Sequence, residues 1–293
     1  MILVTGATGT VGRALVDQLV EAGARVRAVS RRPAEAGLPA GVEVVGADLG
    51  DPVAVAGAMQ GIERVFLLSS GPEIPEHDGI LAKAAATAGV TRLVKLSSGR
   101  TGDDAATDPI PTWHRAGEQA VEASGVPWTI VRPLGFMSNA LHWAGSIRDH
   151  DTVYAAFGQG RIAVVDPRDI AAVAAVALLG EGHDGRTYTL SGSQPLSPGE
   201  QTEILAEVLG RPLHYVEVSP EQARSAILDH GVPAELADAI MALRATALES
   251  FTSVVYPTVQ DVTGSAPRTF AQWAADHAAA FGQALPGRTS PVS

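Results

Sequence analysis

Short apolar segments alternate with longer amphipathic segments through the first half of the chain. Residues 1–4 form an apolar run, as in a parallel strand buried on both faces. Leu15, Leu19 and Ala22 then recur at helical spacing within residues 13–22. The same alternation predicts strands at residues 25–30, 42–49, 64–69, 92–97 and 127–132, and helices at residues 52–59, 77–88 and 113–123. Right-handed crossovers between such strands predict a doubly wound parallel α/β sheet with helices on both faces.

The regular alternation ends after Pro133. The polar segment 101–111 holds two prolines and is predicted to be a loop. Later patterns predict strands at residues 162–165, 186–190 and 213–218, and helices at residues 169–180, 198–209, 220–230, 233–250 and 267–281. We therefore expect a core of residues 1–132, to which residues 162–180 and 186–191 return, and a smaller lobe holding most of residues 133–285. Residues 286–293 lack core-forming side chains and are expected to be a flexible tail.

Three glycines at three-residue spacing separate the first predicted strand from the first predicted helix. Glycine permits a tight turn, lets backbone amides approach a pyrophosphate, and allows close packing of helix on strand. The N-terminus of the following helix offers unpaired N–H groups to phosphate. Because strand, turn and helix occur in this order, we predict a dinucleotide phosphate cradle rather than a purely structural turn. Its residues are Gly6, Thr8, Gly9, Thr10, Val11 and Gly12.

The end of the second predicted strand indicates which dinucleotide is bound. In NAD binders a carboxylate about 20 residues beyond the glycines accepts hydrogen bonds from the ribose 2′-OH. Arg31 and Arg32 occupy this place here, and the nearest acid is Glu35. Guanidinium groups bind a 2′-phosphate through charge-assisted hydrogen bonds, whereas a carboxylate would repel it. We therefore predict NADP(H), the alternative being two solvated arginines in a turn.

Two later strands also end in residues suited to cofactor contact. Asp48 and Leu49 close the third predicted strand, and Ser69 and Ser70 follow the fourth. Ligands of open α/β sheets bind outside the carboxyl ends of the strands, so we expect these four residues to contact the cofactor. Asp48 is expected near the adenine, with a turn carboxylate as the alternative.

Composition narrows the classes of function. The net charge is −11 without a basic stripe, so nucleic-acid binding is not expected. The chain has no cysteine, which excludes disulfides, thiolate catalysis and cysteine zinc sites, and no metal site is predicted. No apolar run reaches the ~18–20 residues that cross a bilayer. Because the chain begins with a core strand and no signal peptide is recognised, we expect a cytoplasmic protein without membrane association.

Several motifs occur in order along nearly the whole chain. They are GATGTVG at residues 6–12, Ser30-Arg31-Arg32, Asp48-Leu49, His114-x-x-x-Glu118, SGVPWTIVRP at residues 124–133, Phe136-Met137-x-Asn139, Asp169-Ile170-Ala171, and Pro267-Arg268-Thr269-Phe270. Together they resemble the NmrA-like branch of the atypical short-chain dehydrogenase/reductases, and most closely its NAD(P)H quinone oxidoreductase and azoreductase-like members. The resemblance covers about residues 1–282. It implies a Rossmann NADP-binding core followed by a substrate-binding lobe.

The Tyr-x-x-x-Lys pair of the short-chain superfamily is absent from the matching helix. His114 stands where isoflavone-reductase-like relatives carry a lysine, and Ile110 stands where the tyrosine would be. His114 is therefore the predicted acid or nicotinamide-ribose ligand, because imidazole titrates near neutral pH. The alternative is a histidine that only anchors the preceding loop. Glu118, one turn further on, either orients His114 or pairs with Arg115 or another neighbour.

The resemblance also implies a substrate site beside the nicotinamide. Ser97 and Ser98 stand where the superfamily places a substrate-polarising hydroxyl, with a local backbone cap as the alternative. The predicted substrate-pocket residues are Ser98, Trp113, Phe136, Met137, Asn139 and Trp143, and His142 lies among them with no assigned role. Alternatively, these apolar side chains belong to the hydrophobic core rather than to a pocket. A flat, apolar acceptor would suit such walls.

These features predict an NADPH-dependent oxidoreductase. Hydride would pass to a quinone-like or conjugated aromatic carbonyl substrate, either in general metabolism or in secondary metabolism. The alternative is a non-catalytic NADP(H)-sensing regulator of the NmrA type that binds a protein partner, which the missing tyrosine and lysine favour. A homodimer is also considered.

Overall fold

Nine β-strands lie within residues 1–282, the part of the chain that the computed structural model describes. They are β1 (Ile2–Val4), β2 (Val26–Ser30), β3 (Glu43–Gly46), β4 (Arg64–Leu67), β5 (Arg92–Leu96), β6 (Trp128–Pro133), β7 (Thr152–Ala155), β8 (Arg186–Leu190) and β9 (His214–Glu217). The tail expected at residues 286–293 lies outside the described residues.

Seven strands form one sheet in the order β3-β2-β1-β4-β5-β6-β8, and every neighbouring pair is parallel. The strand order reverses between β1 and β4, which makes their carboxyl ends the switch point where open α/β sheets bind ligands. The strands at this point are apolar and buried, as in a sheet covered on both faces. The predicted doubly wound parallel fold is confirmed.

The connecting segments are mostly helical. The α-helices of the described chain are α1 (Thr10–Glu21), α2 (Pro52–Ala58), α3 (Ile74–Ala88), α4 (Pro109–Ala123), α5 (Ala144–His150), α6 (Pro167–Leu179), α7 (Pro198–Leu209), α8 (Pro220–Asp229), α9 (Ala234–Ala245), α10 (Thr258–Thr263) and α11 (Phe270–Asp276). No helix within residues 1–282 is long and apolar enough to cross a membrane.

The chain divides into two units, and each is described by itself. Unit 1 comprises Met1–Leu134, Pro167–Ser191 and Tyr256–Ala266, and unit 2 comprises Gly135–Asp166, Gly192–Val255 and the described chain from Pro267. Residues 162–166 therefore group with unit 2, although residues 162–180 are expected to return to the core. Residues 256–266 join unit 1 because α10 packs on α6 and β8.

Unit 1 contains the parallel sheet and two groups of helices. Helices α1, α6 and α10 pack together, as do α2, α3 and α4. Under the second group, Leu3, Val65, Leu67 and Leu93 from the strands meet apolar side chains of the helices in one buried cluster. At about 25 cal/mol per Å² of apolar area, this burial is the main force that holds helices on sheet.

Unit 2 has its own core and a two-stranded parallel ladder of β7 and β9. Helices α7 and α11 pack on one another, and Trp273 of α11 stacks on Phe270 with ring centroids 5.5 Å apart. Trp273 is also in edge contact with Phe281 at 6.3 Å. These aromatic side chains are almost fully buried and form the centre of this unit.

Three predicted elements are corrected by the structure. Residues 101–111 are not wholly a loop, because α4 begins at Pro109, and proline fits the first turn of a helix. Residues 162–165 form only isolated bridges rather than a strand. The strand β7 is not predicted from the pattern, because its four residues are too few to show an alternation.

Asp51 supplies a testable local stabilisation at the start of α2. Its carboxylate accepts hydrogen bonds from the backbone N–H of Val53 at 2.8 Å and of Ala54 at 3.3 Å, as an N-cap. We expect Asp51→Ala to lower the free energy of unfolding by ~0.5–2 kcal/mol in urea denaturation. Asp51→Asn keeps the accepting oxygen and should cost clearly less. Equal losses in both variants would contradict a capping role.

Candidate active site

The turn between β1 and α1 is closed by a backbone contact that only glycine allows. Gly6 has a positive φ of 62°, and its carbonyl oxygen accepts the N–H of Gly9 at 3.0 Å. A Cβ at Gly12 would overlap that same carbonyl oxygen. Gly9 is the N-cap of α1, and no side chain caps the helix. The first N–H groups of α1 are therefore available to an anion.

The other predicted cradle residues lie along this turn. Thr8 and Thr10 are exposed, whereas Val11 is buried against the core. The hydroxyl of Thr5 donates to the carbonyl oxygen of Leu68 at 2.9 Å and accepts the Leu68 N–H at 2.7 Å. This double contact fixes the end of β1 to the segment after β4, at the switch point of the sheet.

Arg31 and Arg32 follow β2 at the same edge of the sheet and are both exposed. Arg32 pairs with Glu35 at 3.0 Å, whereas Arg31 has no ion pair within the described residues. Arg13 of α1 donates to the carbonyl oxygens of Gly37 at 2.6 Å and Ala36 at 3.0 Å. The loop after the two arginines is thus held against α1, beside the glycine turn.

The predicted adenine and ribose contacts have local structural partners. Asp48 is exposed, and its Oδ1 accepts the N–H of Gly50 at 2.9 Å, as the turn-carboxylate alternative requires. Leu49 packs against the core of unit 1. Ser70 is exposed, but Ser69 is buried and donates its hydroxyl to Asp78. Cofactor contact by these residues stays a prediction.

Three buried polar atoms at the carboxyl end of β5 have no hydrogen-bond partner among the described residues. They are the hydroxyl oxygens of Ser97 and Thr101 and the Nδ1 atom of His114 on α4. Buried polar atoms in folded proteins nearly always have partners, so such a group calls for a ligand or water. Thr101 is not predicted from the sequence, because a lone threonine in a polar segment carries no signal.

The environment of His114 keeps its imidazole uncharged. Burial, together with the smaller effect of the nearby positive charge of Lys95, lowers the pKa of His114 to about 3. At neutral pH the ring is therefore neutral and has no imidazolium proton to give. This corrects the expectation that His114 is an acid that titrates near neutral pH.

Glu118 pairs with a neighbour other than Arg115. Its two carboxylate oxygens accept hydrogen bonds from Arg132 of β6 at 2.9 and 2.5 Å. This hydrogen bond raises the pKa of Arg132, although burial opposes the change. Glu118 thus connects α4 to β6, and this is the structural role given as the alternative in the sequence analysis. Arg115 donates instead to the carbonyl oxygens of Ala106 and Asp103.

A fully buried ion pair lies on the same side of the sheet as His114 and is missed by the sequence analysis. Lys95 of β5 contacts Asp78 of α3 at 2.5 Å, and both side chains are 0% exposed. The signal was present in the sequence, because Lys95 interrupts an otherwise apolar strand. Its partner on α3 could be found only from the fold.

The predicted substrate-pocket residues fall in both units. Ser98 and Trp113 belong to unit 1, whereas Phe136, Met137, Asn139 and Trp143 belong to unit 2. Met137 is 2% exposed and lies within the core of unit 2, as the core alternative predicts. Trp143 packs against that core while partly exposed, and Asn139 is exposed.

Within residues 1–282 no group of three or more acidic or histidine side chains could hold a metal ion.

The geometry fits a dinucleotide at this edge of the sheet, and comparison with known proteins decides the family. Residues 6–179 match the model of the NAD(P)H-binding family. The chain belongs to the NAD(P)H-binding family. The match spans the glycine turn, β2 and its arginines, β5, and α4 with His114. The predicted cofactor class and Rossmann fold are thereby confirmed.

Reductases are prominent among the similar proteins. The chain is 45% identical to (4-alkanoyl-5-oxo-2,5-dihydrofuran-3-yl)methyl phosphate reductase of Streptomyces griseus, over 96% of this chain and 99% of that protein. It is 40% identical to the NAD(P)H azoreductase of Xenophilus azovorans, over 97% and 100%. The NADPH-dependent quinone oxidoreductase of Escherichia coli, solved with NADPH, superposes with a TM-score of 0.82 at 28% identity, covering 94% and 99%. The resemblance inferred from the motifs is confirmed.

The low pKa of His114 has a consequence for stability. The folded protein binds the His114 proton only near pH 3, whereas an unfolded histidine binds it below about pH 6.5. The unfolded state therefore gains the proton first, and stability falls on acidification. From pH 7 to pH 5 this one group should cost about 2 kcal/mol of the free energy of unfolding.

Denaturation in urea at both pH values measures this loss. In His114→Gln the loss of unfolding free energy between pH 7 and pH 5 should be smaller than in the wild type by about that amount, because glutamine does not titrate. His150→Gln, at an exposed histidine on α5, should keep the wild-type difference. If the wild type and His114→Gln lose stability equally, then His114 is not neutral in the folded protein.

Proposed function

We propose that this protein is an NADPH-dependent reductase that delivers hydride to an electron-poor conjugated acceptor. The observation that carries the proposal is the group of unpartnered buried atoms of Ser97, Thr101 and His114. They lie at the carboxyl end of a central strand in a chain of the NAD(P)H-binding family. In an open α/β sheet this is the edge where a bound substrate can meet protein hydrogen-bonding groups.

The chain offers separate groups for the parts of the cofactor. The N-terminus of α1 and the glycine turn would hold the pyrophosphate, and Arg31 would bind the 2′-phosphate of NADPH. Arg31 suits this role because it makes no ion pair within residues 1–282, whereas Arg32 is paired with Glu35. When bound, NADPH supplies the hydride and the electrons of the reduction.

His114 and Ser97 would act on the substrate as uncharged hydrogen-bonding groups. A neutral imidazole N–H, like a serine hydroxyl, donates to an oxygen that gains negative charge as hydride arrives. Because the pKa of His114 is about 3, the proton that completes the reduction would come from water rather than from an imidazolium. Such a site suits acceptors that take hydride without a strong acid.

The substrates in the names of the relatives share that property. A quinone, an azo compound and an acyl-substituted unsaturated lactone each hold a double bond made electron-poor by neighbouring groups. We propose this class of acceptor for the present chain, whether it serves general or secondary metabolism. Ser98, Trp113, Phe136, Asn139 and Trp143 remain our proposed substrate contacts.

The regulator alternative gains no support from the two relatives that are 40% or more identical, because both align over nearly the full chain and are named as reductases. A sensor of the NmrA type would bind oxidised and reduced cofactor differently and turn neither over. The proposed homodimer and the cytoplasmic location stay predictions, to be checked by light scattering and by fractionation.

The proposed activity is tested by NADPH oxidation against a panel of acceptors. Simple quinones, an azo dye and an acyl-substituted unsaturated lactone should each be compared, and at least one should raise the rate well above background. His114→Gln should lower kcat roughly 10–100-fold, as loss of a hydrogen bond to a developing charge would, at unchanged NADPH affinity. His183→Gln, whose histidine bonds to Tyr188, serves as the matched control and should keep the wild-type rate. Background rates across the whole panel would refute the proposal.

The cofactor preference is tested at Arg31. Arg31→Ala should weaken NADPH binding by ~1.5–3 kcal/mol, because a charge-assisted hydrogen bond to the 2′-phosphate is lost. NADH binding should change little. Isothermal titration calorimetry of both cofactors measures this, with Arg25→Ala as the control, since Arg25 is an exposed arginine that precedes the same strand. An equal loss for both cofactors would show that Arg31 is only structural.

A further inference from the structure

A buried polar network lies beneath α4 and is not used by the proposed chemistry. The ammonium group of Lys95 bonds to Oδ2 of Asp78 at 2.5 Å and to the carbonyl oxygen of Leu96 at 3.2 Å. The other carboxylate oxygen of Asp78 accepts the hydroxyl of Ser69. All three side chains are buried, and those of Lys95 and Asp78 are 0% exposed. The network therefore joins the ends of β4 and β5 to α3.

The backbone of α4 rests directly on this ion pair. A Cβ at Gly117 would overlap the carboxylate of Asp78 and would lie 3.2 Å from Cε of Lys95. Gly117 is therefore the residue that lets α4 approach so closely. His114 lies three residues earlier, which is one turn of the helix on the same side. The position of His114 therefore depends on how α4 packs against the ion pair of Lys95 and Asp78.

Lys95 also faces the same side of the sheet as the predicted catalytic serine. Lys95 and Ser97 are two residues apart along extended chain, so their side chains point to the same face. Of the charges around His114, it is the ammonium group of Lys95 that adds to burial in lowering the pKa of the imidazole. Glu118 on α4 carries the opposite charge, but it is paired with Arg132 and does not offset that effect.

A buried ion pair of this kind is a poor way to stabilise a fold. Taking two charges out of water costs several kcal/mol for each ion, and apolar replacements of similar size are often neutral or stabilising. The rest of this face of the sheet is packed with leucine, valine and alanine. The pair therefore calls for a role other than stability, and its nearest unpartnered neighbour is His114.

We propose that Lys95 is a positioning residue that seats His114 beside Ser97 and adds to burial in keeping its imidazole uncharged, with Asp78, itself held by Ser69, fixing the ammonium group in place. The inference deepens the role proposed for His114 and rests on it. The imidazole remains a neutral hydrogen-bonding group across the physiological pH range, in place of the missing tyrosine.

The test follows the ring of His114 directly by NMR in the cofactor-free protein. Lys95→Met alone would leave the Asp78 carboxylate buried without a counter-charge and could fail to fold. The variant is therefore Lys95→Met/Asp78→Asn, which removes both charges and keeps a group that can bond to Ser69. His114→Gln identifies the His114 signal among the 8 histidines. Arg92→Met is the matched control, because it removes a buried cation from the first position of the same strand.

Folding of each variant is first checked by circular dichroism and thermal melting. In the wild type and in Arg92→Met, His114 should titrate only near pH 3. In the double variant its titration should move upward by roughly one pH unit or more, because Lys95, and not Asp78, is the member of the ion pair whose charge lowers the pKa of His114. An unchanged titration in the folded double variant overturns the proposal. Because no turnover is measured, this result is independent of whether the chain reduces any acceptor.

The pH profile of kcat/KM supplies a second readout where an acceptor has been found. The wild type should keep its kcat/KM down to about pH 4, whereas in the double variant the loss at the acid end should begin about one pH unit higher, as His114 gains a charge. A merely structural role for Lys95 would lower the rate equally at every pH. That uniform loss would count against the proposal.

Discussion

In a parallel sheet covered on both faces, polar side chains buried at the carboxyl ends of the central strands have little access to bulk water. Each such group must find a protein partner or wait for a ligand. Thr5 finds a partner in the backbone of Leu68, and Ser69 finds one in Asp78. Ser97, Thr101 and His114 do not. The proposed site rests on that division between hydrogen-bonded and unpartnered groups along one edge of one sheet.

The burial of His114 also determines which chemistry is available at this edge of the sheet. A histidine in place of a tyrosine first suggests a group that titrates near neutral pH, but burial and the charge of Lys95 keep it neutral. A neutral imidazole polarises an oxygen and does not protonate it. The acceptor class proposed above is consistent with such a neutral group. Cofactor, site and acceptor class therefore fit together without the tyrosine of the wider superfamily.

Several residues that the sequence analysis singles out have structural roles in the fold. Glu118 bonds to Arg132, and Asp48 caps its own turn. Met137 packs in the core of unit 2. Each of these residues is satisfied within the protein, and this distinguishes it from His114 and Ser97. A polar side chain at a position that suits a functional role supports a proposal of function only once its hydrogen-bond partners are known.

Short-range patterns determined most of the sheet and the cofactor cradle. Apolar runs and helical periodicity located β1, β2, β4, β5 and β6, because strands and helices bury their side chains at fixed spacing. Gly6 and Gly12 marked the turn because their backbone contact admits no side chain. Only the tertiary structure decided the start of α4, the partner of Glu118, the pairing of Lys95 with Asp78 and the protonation of His114. These depend on which side chains from distant segments meet in a place without water, and no local pattern of the chain records that.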